Sequence, residues 1–261
     1  MKHIPQDIVG DIAILKFPRH TFWLVKKIKA YLFLKQNRTL KTVLEKTEKI
    51  SGELRIAKTK YLAGEKTKEA TYKENGCMFK FNIDETYFSP RLSNERKIIA
   101  EEVFKLSKKE GTKILVMFAG VGPYPIVIAR KLKRGGKKAK IISNELNAEA
   151  NNYTRKNIVL NKLGDYMSLA DGDARDLPKK LKEKFDIILM PRPQLDETFL
   201  KSALELSKKG TVIFYHGFGT KEEVLKEIKR DTDGKIGKIK IRKAGDIGVR
   251  RYRWQTKFKV R

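Results

Sequence analysis

The chain has 261 residues, enough for one large domain or for a catalytic domain with a smaller appendage. Its 59 lysine and arginine residues outnumber 31 acidic residues, which gives a formal net charge of +28. Such an excess favours a polyanionic partner, because phosphates attract lysine and arginine and release counterions on binding. The prediction is a nucleic-acid partner; a membrane surface is the alternative, but no amphipathic anchor supports it.

Several classes of protein are excluded by the pattern of special residues. Cys77 is the single cysteine and has no partner for a disulfide, which predicts a reducing, cytoplasmic compartment. The three histidines are scattered and their spacing resembles no metal site. The first residues lack the apolar core of a signal peptide, and the apolar runs are too short to cross a bilayer. We therefore expect no metal and no membrane segment.

Short alternating runs dominate the first 90 residues. They predict strands over 11–16, 54–60, 70–73 and 78–83, and a helix over 25–34. Asn75 and Gly76, between the last two strands, form a typical hairpin turn pair. The sequence thus predicts a small α+β domain over residues 1–90.

After residue 90 the pattern changes to strands that alternate with helices. Strands are predicted over 113–118, 139–143, 166–170, 185–190 and 210–215, and a closing antiparallel pair over 238–243 and 252–260. Helices are predicted over 94–107, 126–132, 148–161, 194–207 and 222–230. This alternation is typical of a doubly wound α/β domain with a parallel sheet, here residues 91–261.

Ligand-type residues follow three successive strands of this predicted sheet. Gly120 and Gly122 follow the first, Glu145 the second and Asp173 the third. In such sheets the ligand lies outside the carboxyl ends of the strands, where a carboxylate can accept the hydroxyls of a ribose. A tight turn or a solvated acid after a strand needs no ligand, but the three together favour a nucleoside cofactor.

The glycine loop favours S-adenosylmethionine over a dinucleotide. It continues into Pro123 and lacks the third glycine of the pyrophosphate-binding pattern. After the fourth strand, Pro191 and Pro193 form a stiff extended turn that can present carbonyls to a planar base, or that is only a rigid connection. The sequence predicts a class I, Rossmann-like methyltransferase fold.

Four segments, 7–13, 87–96, 118–123 and 157–161, resemble the archaeal and eukaryotic tRNA guanine-37 N1-methyltransferases. The segment from Tyr87 to Arg96 carries the most specific part of the resemblance, which extends from about residue 7 to the C-terminus. The resemblance implies methylation of guanosine beside the anticodon of a tRNA by S-adenosylmethionine. We expect a monomer that acts on the anticodon stem-loop.

The resemblance also implies roles for individual residues. Glu95 matches the general base that removes the N1 proton, and Arg55, matched by spacing, stabilises charge on O6. A first-turn helix acid and a solvated strand arginine are the structural alternatives for these two. Cofactor contacts are implied for Arg96, Phe118, Ala119, Gly120, Val121, Gly122, Glu145, Leu146, Asp173, Ala174 and Pro191, and substrate contacts for Tyr87, Arg91, Met190, Arg192 and Pro193. Tyr87 and Arg96 could equally serve packing and phosphate contact.

Two departures from the family pattern bear on specificity. The chain is expected to lack the small N-terminal domain that many relatives carry before the segment matching Asp7. An asparagine common in the family after the fourth strand is replaced by Pro191. This second departure resembles a subgroup that also methylates carbon 7 of the wyosine precursor.

Three hypotheses follow from the sequence. The first is a tRNA guanine-37 N1-methyltransferase, with or without activity on the wyosine precursor 4-demethylwyosine. The second is the related aminocarboxypropyl transferase of wyosine synthesis, against which Glu95 and Arg96 argue. The third is a noncatalytic RNA-binding module, against which the complete set of cofactor residues argues.

Overall fold

The computed structural model describes residues 4–47 and 58–261. Its N-terminal part is a sheet of order β1-β2-β3-β4 with one helix on it. The elements are β1 (Gln6–Val9), β2 (Ile12–Leu15), α1 (Trp23–Gln36), β3 (Thr42–Lys46) and β4 (Thr59–Gly64). β2 and β3 are parallel, so α1 is the crossover between them. The sequence patterns missed β1 and β3, both only four or five residues long.

A hairpin follows, formed by β5 (Glu69–Glu74) and β6 (Cys77–Asn82). Asn75 and Gly76 have φ angles of 48° and 72°, as a tight hairpin turn of the predicted kind requires. The hairpin prediction is therefore confirmed. Asn157 and Asn161 bond to the backbone of Lys80 and Met78, so the hairpin is fixed to the C-terminal part of the chain.

The second, larger sheet has the order β12-β13-β11-β10-β7-β8-β9 among the described residues. Its strands are β7 (Thr112–Val116), β8 (Ala139–Glu145), β9 (Met167–Asp171), β10 (Phe185–Met190), β11 (Ser207–Gly219), β12 (Lys240–Gly248) and β13 (Arg251–Lys259). The helices are α2 (Ser93–Leu106), α3 (Pro123–Arg134), α4 (Ala148–Leu160), α5 (Leu177–Lys180), α6 (Leu200–Glu205) and α7 (Lys221–Thr232). β7 to β11 pair in parallel, and β13 pairs antiparallel with β11. The predicted doubly wound sheet and its closing antiparallel pair are confirmed.

The two sheets share a core. Side chains of β2 alternate, so Ile12 points into the large core that also holds Phe79, Ile99 and Ile114. Ala13, the next residue, packs instead in a small cluster beneath α1. One face of the N-terminal sheet is thus buried against the α/β layer, which holds both parts together around the site.

The helix predicted over 194–207 is the clearest difference from the sequence patterns. Only Leu200–Glu205 are helical, after Phe199 at a φ of 59°. The buried Arg192 guanidinium donates to the carbonyls of Leu195 and Glu197. Because these carbonyls accept from a side chain, the segment before α6 is not helical.

No helix in the described part of the chain is long and apolar enough to cross a membrane.

Candidate active site

A pocket lies at the carboxyl ends of β7, β8 and β10, where a doubly wound sheet binds its ligand. Ten of the residues predicted for the site line it together. They are Tyr87, Phe118, Gly120, Glu145, Leu146, Asp173, Ala174, Pro191, Arg192 and Pro193.

Glu145 ends β8, and backbone groups hold its carboxylate. Oε2 accepts from the N–H of Gly120 at 2.8 Å, and Oε1 accepts from the N–H of Asn147 at 2.9 Å. Each oxygen keeps a further lone pair for a ligand hydroxyl. Burial raises the pKa of Glu145 above its ordinary value, although these backbone N–H groups act in the opposite direction. The carboxylate is therefore fixed in position to accept two neighbouring hydroxyls.

The loop after β7 brings backbone close to this carboxylate. Gly120 has a φ of 58°, a conformation that glycine adopts without strain, and in it the N–H bonds to Glu145. Gly122, with a φ of 85°, is the N-cap of α3, and a Cβ there would lie 3.0 Å from Ile126 Cδ1 and 3.1 Å from Thr154 Cγ2. Phe118 also has a positive φ, and its ring meets that of Phe199 edge-on at 5.0 Å. Ala119 and Val121, both buried, form the inner side of the loop and do not line the pocket.

Asp173 lies at the start of the short 3₁₀ turn Ala174–Asp176 that follows β9. It accepts from the backbone N–H of Arg175 at 2.8 Å and from its guanidinium. The Arg175 side chain holds the pKa of Asp173 below its ordinary value, so this carboxylate is ionised in the pocket. An ionised carboxylate can accept from an adenine amino group.

The turn after β10 divides its residues between the pocket and the protein interior. Pro191 and Pro193 line the pocket, whereas Met190 is fully buried beneath it. Arg192 borders the pocket, but its guanidinium points inward to Tyr215 Oη at 2.8 Å and Glu227 Oε1 at 3.3 Å. This guanidinium shapes the turn and is not presented to a ligand.

Glu95 lies in the first turn of α2 and is only 5% exposed. Both carboxylate oxygens accept from Arg242 of β12, at 2.7 and 2.8 Å. His216, in β11, places Nε2 3.5 Å from Glu95 Oε1 and lines the pocket. Burial acts to raise the pKa of Glu95, but His216 and Arg242 outweigh it and the pKa lies below its ordinary value. Because burial lowers the pKa of His216 and keeps its ring neutral, Arg242 is the charged partner of Glu95.

Arg96, the next residue, points the opposite way. Its guanidinium donates to both oxygens of Glu74 at 2.5 Å and to the carbonyl of Ser89 at 3.0 Å. It does not line the pocket. Arg91 is exposed and pairs with Asp7 at 3.1 Å beside a second groove, which also borders Tyr87. Arg55 lies outside the described residues.

Sequence patterns missed further residues of the site, among them Asn144, His216, Arg242 and Arg253. Asn144 ties the ends of β8 and β9 together through the carbonyls of Ala170 and Gly172. His216, Arg242 and Arg253 surround Glu95 or line the pocket. His216 follows the strand predicted over 210–215, so its place at a carboxyl strand end was a usable signal. Arg242 is 147 residues from Glu95, and no local pattern indicates that contact.

Two sequence models of protein families match the chain. Residues 70–240 match the TRM5/TYW2 methyltransferase domain, and residues 3–67 match the TYW2 N-terminal domain. The expectation that the chain lacks an N-terminal domain of the family is therefore wrong. The matched residues 3–67 lie within the small α+β domain predicted over residues 1–90, which the resemblance did not identify as the N-terminal domain of the family.

Known proteins of similar sequence and structure include archaeal enzymes. The chain is 37% identical to "tRNA (guanine(37)-N(1))/4-demethylwyosine(37)-methyltransferase Taw22" of Nanoarchaeum equitans, over 95% of this chain and 96% of that one. It is 33% identical to Trm5b, a tRNA (guanine(37)-N(1))-methyltransferase of Pyrococcus abyssi, over 94% and 70% of the two chains. The structure of aTrm5 in complex with tRNALeu superposes with a TM-score of 0.82 at 26% identity, over 99% of this chain and 72% of that one. The predicted fold class is confirmed.

Proposed function

We propose the function of this chain from one premise: it belongs to the TRM5/TYW2 methyltransferase family. The proposed activity is transfer of a methyl group from S-adenosylmethionine to N1 of guanosine 37 in tRNA. Two sequence relatives carry this activity in their names. The charge of +28 supports a polyanionic substrate.

The observation that carries the proposal is the geometry around Glu145. A carboxylate held by the N–H groups of Gly120 and Asn147, with Asp173 in the same pocket, fits the ribose and adenine of a nucleoside. The residues present therefore fit S-adenosylmethionine, which supplies an electrophilic methyl group on sulfur when bound. Leu146 and Ala174, beside these two acids, complete the apolar walls.

Glu95 is the proposed base. Guanine N1 carries a proton that must leave as the methyl group arrives, and an ionised carboxylate can accept it. Arg242 keeps Glu95 ionised in the free enzyme. Arg55 remains the proposed residue that stabilises negative charge on O6. Tyr87, Pro191 and Pro193 line the pocket and are the proposed contacts of the guanine base.

We further propose activity on carbon 7 of 4-demethylwyosine at the same position. The name of the Nanoarchaeum equitans relative includes this reaction. Pro191 also replaces the asparagine expected beside the base, which relaxes polar selection of guanine.

We also propose that the protein is a monomer, that it is cytoplasmic and that its two domains divide near residue 90. The single cysteine, Cys77, buried as a free thiol, supports the reducing compartment.

Mass analysis of tRNA nucleosides tests the activity. The full chain is incubated with S-adenosylmethionine and tRNA that carries either guanosine or 4-demethylwyosine at position 37; adenosine-37 tRNA is the control. We expect one added methyl group on N1 of guanosine and none on adenosine. An added aminocarboxypropyl group would support the transferase of wyosine synthesis instead, and unchanged nucleosides with intact tRNA binding would support a noncatalytic module.

A further inference from the structure

Glu95 is surrounded by polar atoms that lack partners. Tyr124 Oη, Arg242 Nε and Arg253 Nε are buried without a hydrogen bond among the described residues. His216 Nε2 is also buried, and its approach to Glu95 Oε1 is long, at 3.5 Å. Buried polar atoms are ordinarily satisfied, so a group of them beside a pocket indicates a place for further polar atoms. Only the two terminal nitrogens of Arg242 are used, both on Glu95.

We propose that Arg242 is a positioning residue that holds Glu95 in the free enzyme and releases it to the incoming guanine. The inference rests on the proposed function and adds a residue to its mechanism. Arg242 acts through Glu95, because its guanidinium sets the orientation and ionisation of that carboxylate.

The exchange follows from the shape of the carboxylate, which offers one side to a planar pair of N–H donors. A guanine presents N1–H and a neighbouring amino group side by side, which match the two oxygens of one carboxylate. Arg242 presents two N–H groups to these same oxygens. The two planar groups compete for this side of the carboxylate, so a guanine that binds Glu95 through both N–H groups takes the place of Arg242.

The exposures of the two side chains allow this movement. Glu95 is 5% exposed, whereas the Arg242 side chain is 33% exposed. β12 lies at the edge of the large sheet, and its pairing with β13 shifts register between Lys243 and Gly245. Arg242 can therefore move into solvent without unpacking the core, whereas Glu95 is fixed by α2.

The exchange also changes the strength of the base. While Arg242 is bound, the pKa of Glu95 lies below its ordinary value, and the carboxylate is ionised but a weak base. When Arg242 leaves, burial acts with less opposition and the pKa rises. In the transfer, the N1–H bond breaks toward a Glu95 oxygen, the N1–methyl bond forms, and the methyl–sulfur pair remains on sulfur. A stronger base then faces the proton only once guanine is in place.

Four further titratable or charged side chains face Glu95. They are His216 of β11, Tyr124 of α3, Arg253 of β13 and Arg96 of α2. Burial keeps His216 neutral and raises the pKa of Tyr124, so neither gains charge near neutral pH. Arg96 is held by Glu74. Among the described residues Arg253 makes no hydrogen bond or ion pair with Glu95, so Arg242 is the cation in contact with it.

The test compares two pH profiles of Arg242→Gln in the full-length enzyme. The profile of kcat/KM reports the free enzyme, and the single-turnover rate at saturating tRNA and cofactor reports the complex. We expect the acid limb of kcat/KM to move up by about one to three pH units, and that of the single-turnover rate to stay. Arg251→Gln is the matched control, since Arg251 lies on the same hairpin and pairs with exposed Glu223 at 3.6 Å.

A second measurement does not depend on methylation. The carboxyl carbon of Glu95 is titrated by NMR in the free protein, with Glu95→Gln to assign the signal. Arg242→Gln should raise the titration midpoint, Arg242→Lys should raise it less, and Arg251→Gln should leave it unchanged. If Arg242→Gln does not fold, the Lys variant carries the comparison.

Three results would overturn the proposal: an unchanged midpoint in Arg242→Gln and Arg242→Lys, acid limbs that move together in both profiles, or limbs that stay in both. A wild-type enzyme that methylates no guanosine-37 tRNA would refute the proposed function, while the NMR titration would still test the contact itself.

Discussion

Neighbouring residues of one helix, Glu95 and Arg96, form two ion pairs of the same chemistry in different surroundings. Arg96 and Glu74 are 1% and 2% exposed, and Arg96 also bonds to Ser89 and faces the rings of Phe88 and Tyr124 at 5.0 and 5.9 Å. Glu95 is equally buried, but its partner Arg242 is one-third exposed. One pair is sealed inside the protein, and the other has one side open to solvent.

The different exposure of the two ion pairs shows how the adjacent residues Glu95 and Arg96 can serve catalysis and structure respectively. A sealed pair is costly to break, because either partner alone would be an uncompensated buried charge. A pair with one exposed partner can exchange that partner for a ligand. Arg96 therefore fixes the β5–β6 hairpin to α2, which in turn fixes Glu95 at the pocket.

The largest expected effect is that of Glu95→Gln on the chemical step. A general base contributes about 10²–10⁴-fold, so the single-turnover rate of N1 methylation should fall by about this factor. Affinities for cofactor and tRNA should stay close to wild type, because the amide keeps the shape of the side chain. Carbon 7 of 4-demethylwyosine can attack before a proton leaves, so that reaction should be less affected. If this variant methylated N1 at the wild-type rate, Glu95 would not be the general base. Catalysis would then depend on Arg55 and on positioning of the substrates.

Arg96→Met should act on stability rather than on the chemistry. Removing one partner of a buried pair costs about 3–5 kcal/mol, because Glu74 would be left unpaired. Chemical denaturation measures the free energy of unfolding. The matched control is the double variant Arg96→Met, Glu74→Leu, which removes both charges and should recover most of the loss. A single variant as stable as wild type would show that the sealed pair is not structural.

Glu145→Ala extends the comparison of the two ion pairs to a third carboxylate. Among the described residues, the hydrogen-bond donors to Glu145 are backbone N–H groups and not an arginine. Hydrogen bonds to a charged group contribute about 1.5–3 kcal/mol, so cofactor affinity should fall about tenfold to a hundredfold. Calorimetry with S-adenosylmethionine measures it. Glu149→Ala, an exposed acid in the first turn of α4, is the control and should bind as wild type. Equal affinity in both variants would remove Glu145 from the cofactor site.

The smallest expected effect is the pH dependence of cofactor binding. Burial raises the pKa of Glu145, so this carboxylate gains a proton at a higher pH than an ordinary glutamate. The protonated acid is a poorer acceptor for two hydroxyls. Affinity should therefore be full above the raised pKa and fall several-fold as pH decreases through it. In Glu145→Ala this dependence should disappear; a dependence that persists would belong to another group.

Much of the fold was predictable because the spacing of apolar residues within a helix or strand reflects which of its faces is buried. The parallel strands, the helices between them and the Asn75–Gly76 turn each have a pattern within a few residues. The segment before α6 was predicted as helix because its apolar residues fit that period. The buried guanidinium of Arg192, bonded to its carbonyls, decided otherwise.

The sequence alone determined which residues meet at the carboxyl ends of the strands. Glu145 and Asp173 each follow a parallel strand, and parallel strands end at the same edge. Only the tertiary structure decided what those residues and their neighbours contact. Glu95 and Arg96 are adjacent in sequence, yet Arg96 turns to Glu74 and Glu95 turns to Arg242, 147 residues away. The physical reason is that ionisation and burial depend on neighbours brought by the closing hairpin, and sequence spacing does not encode that contact.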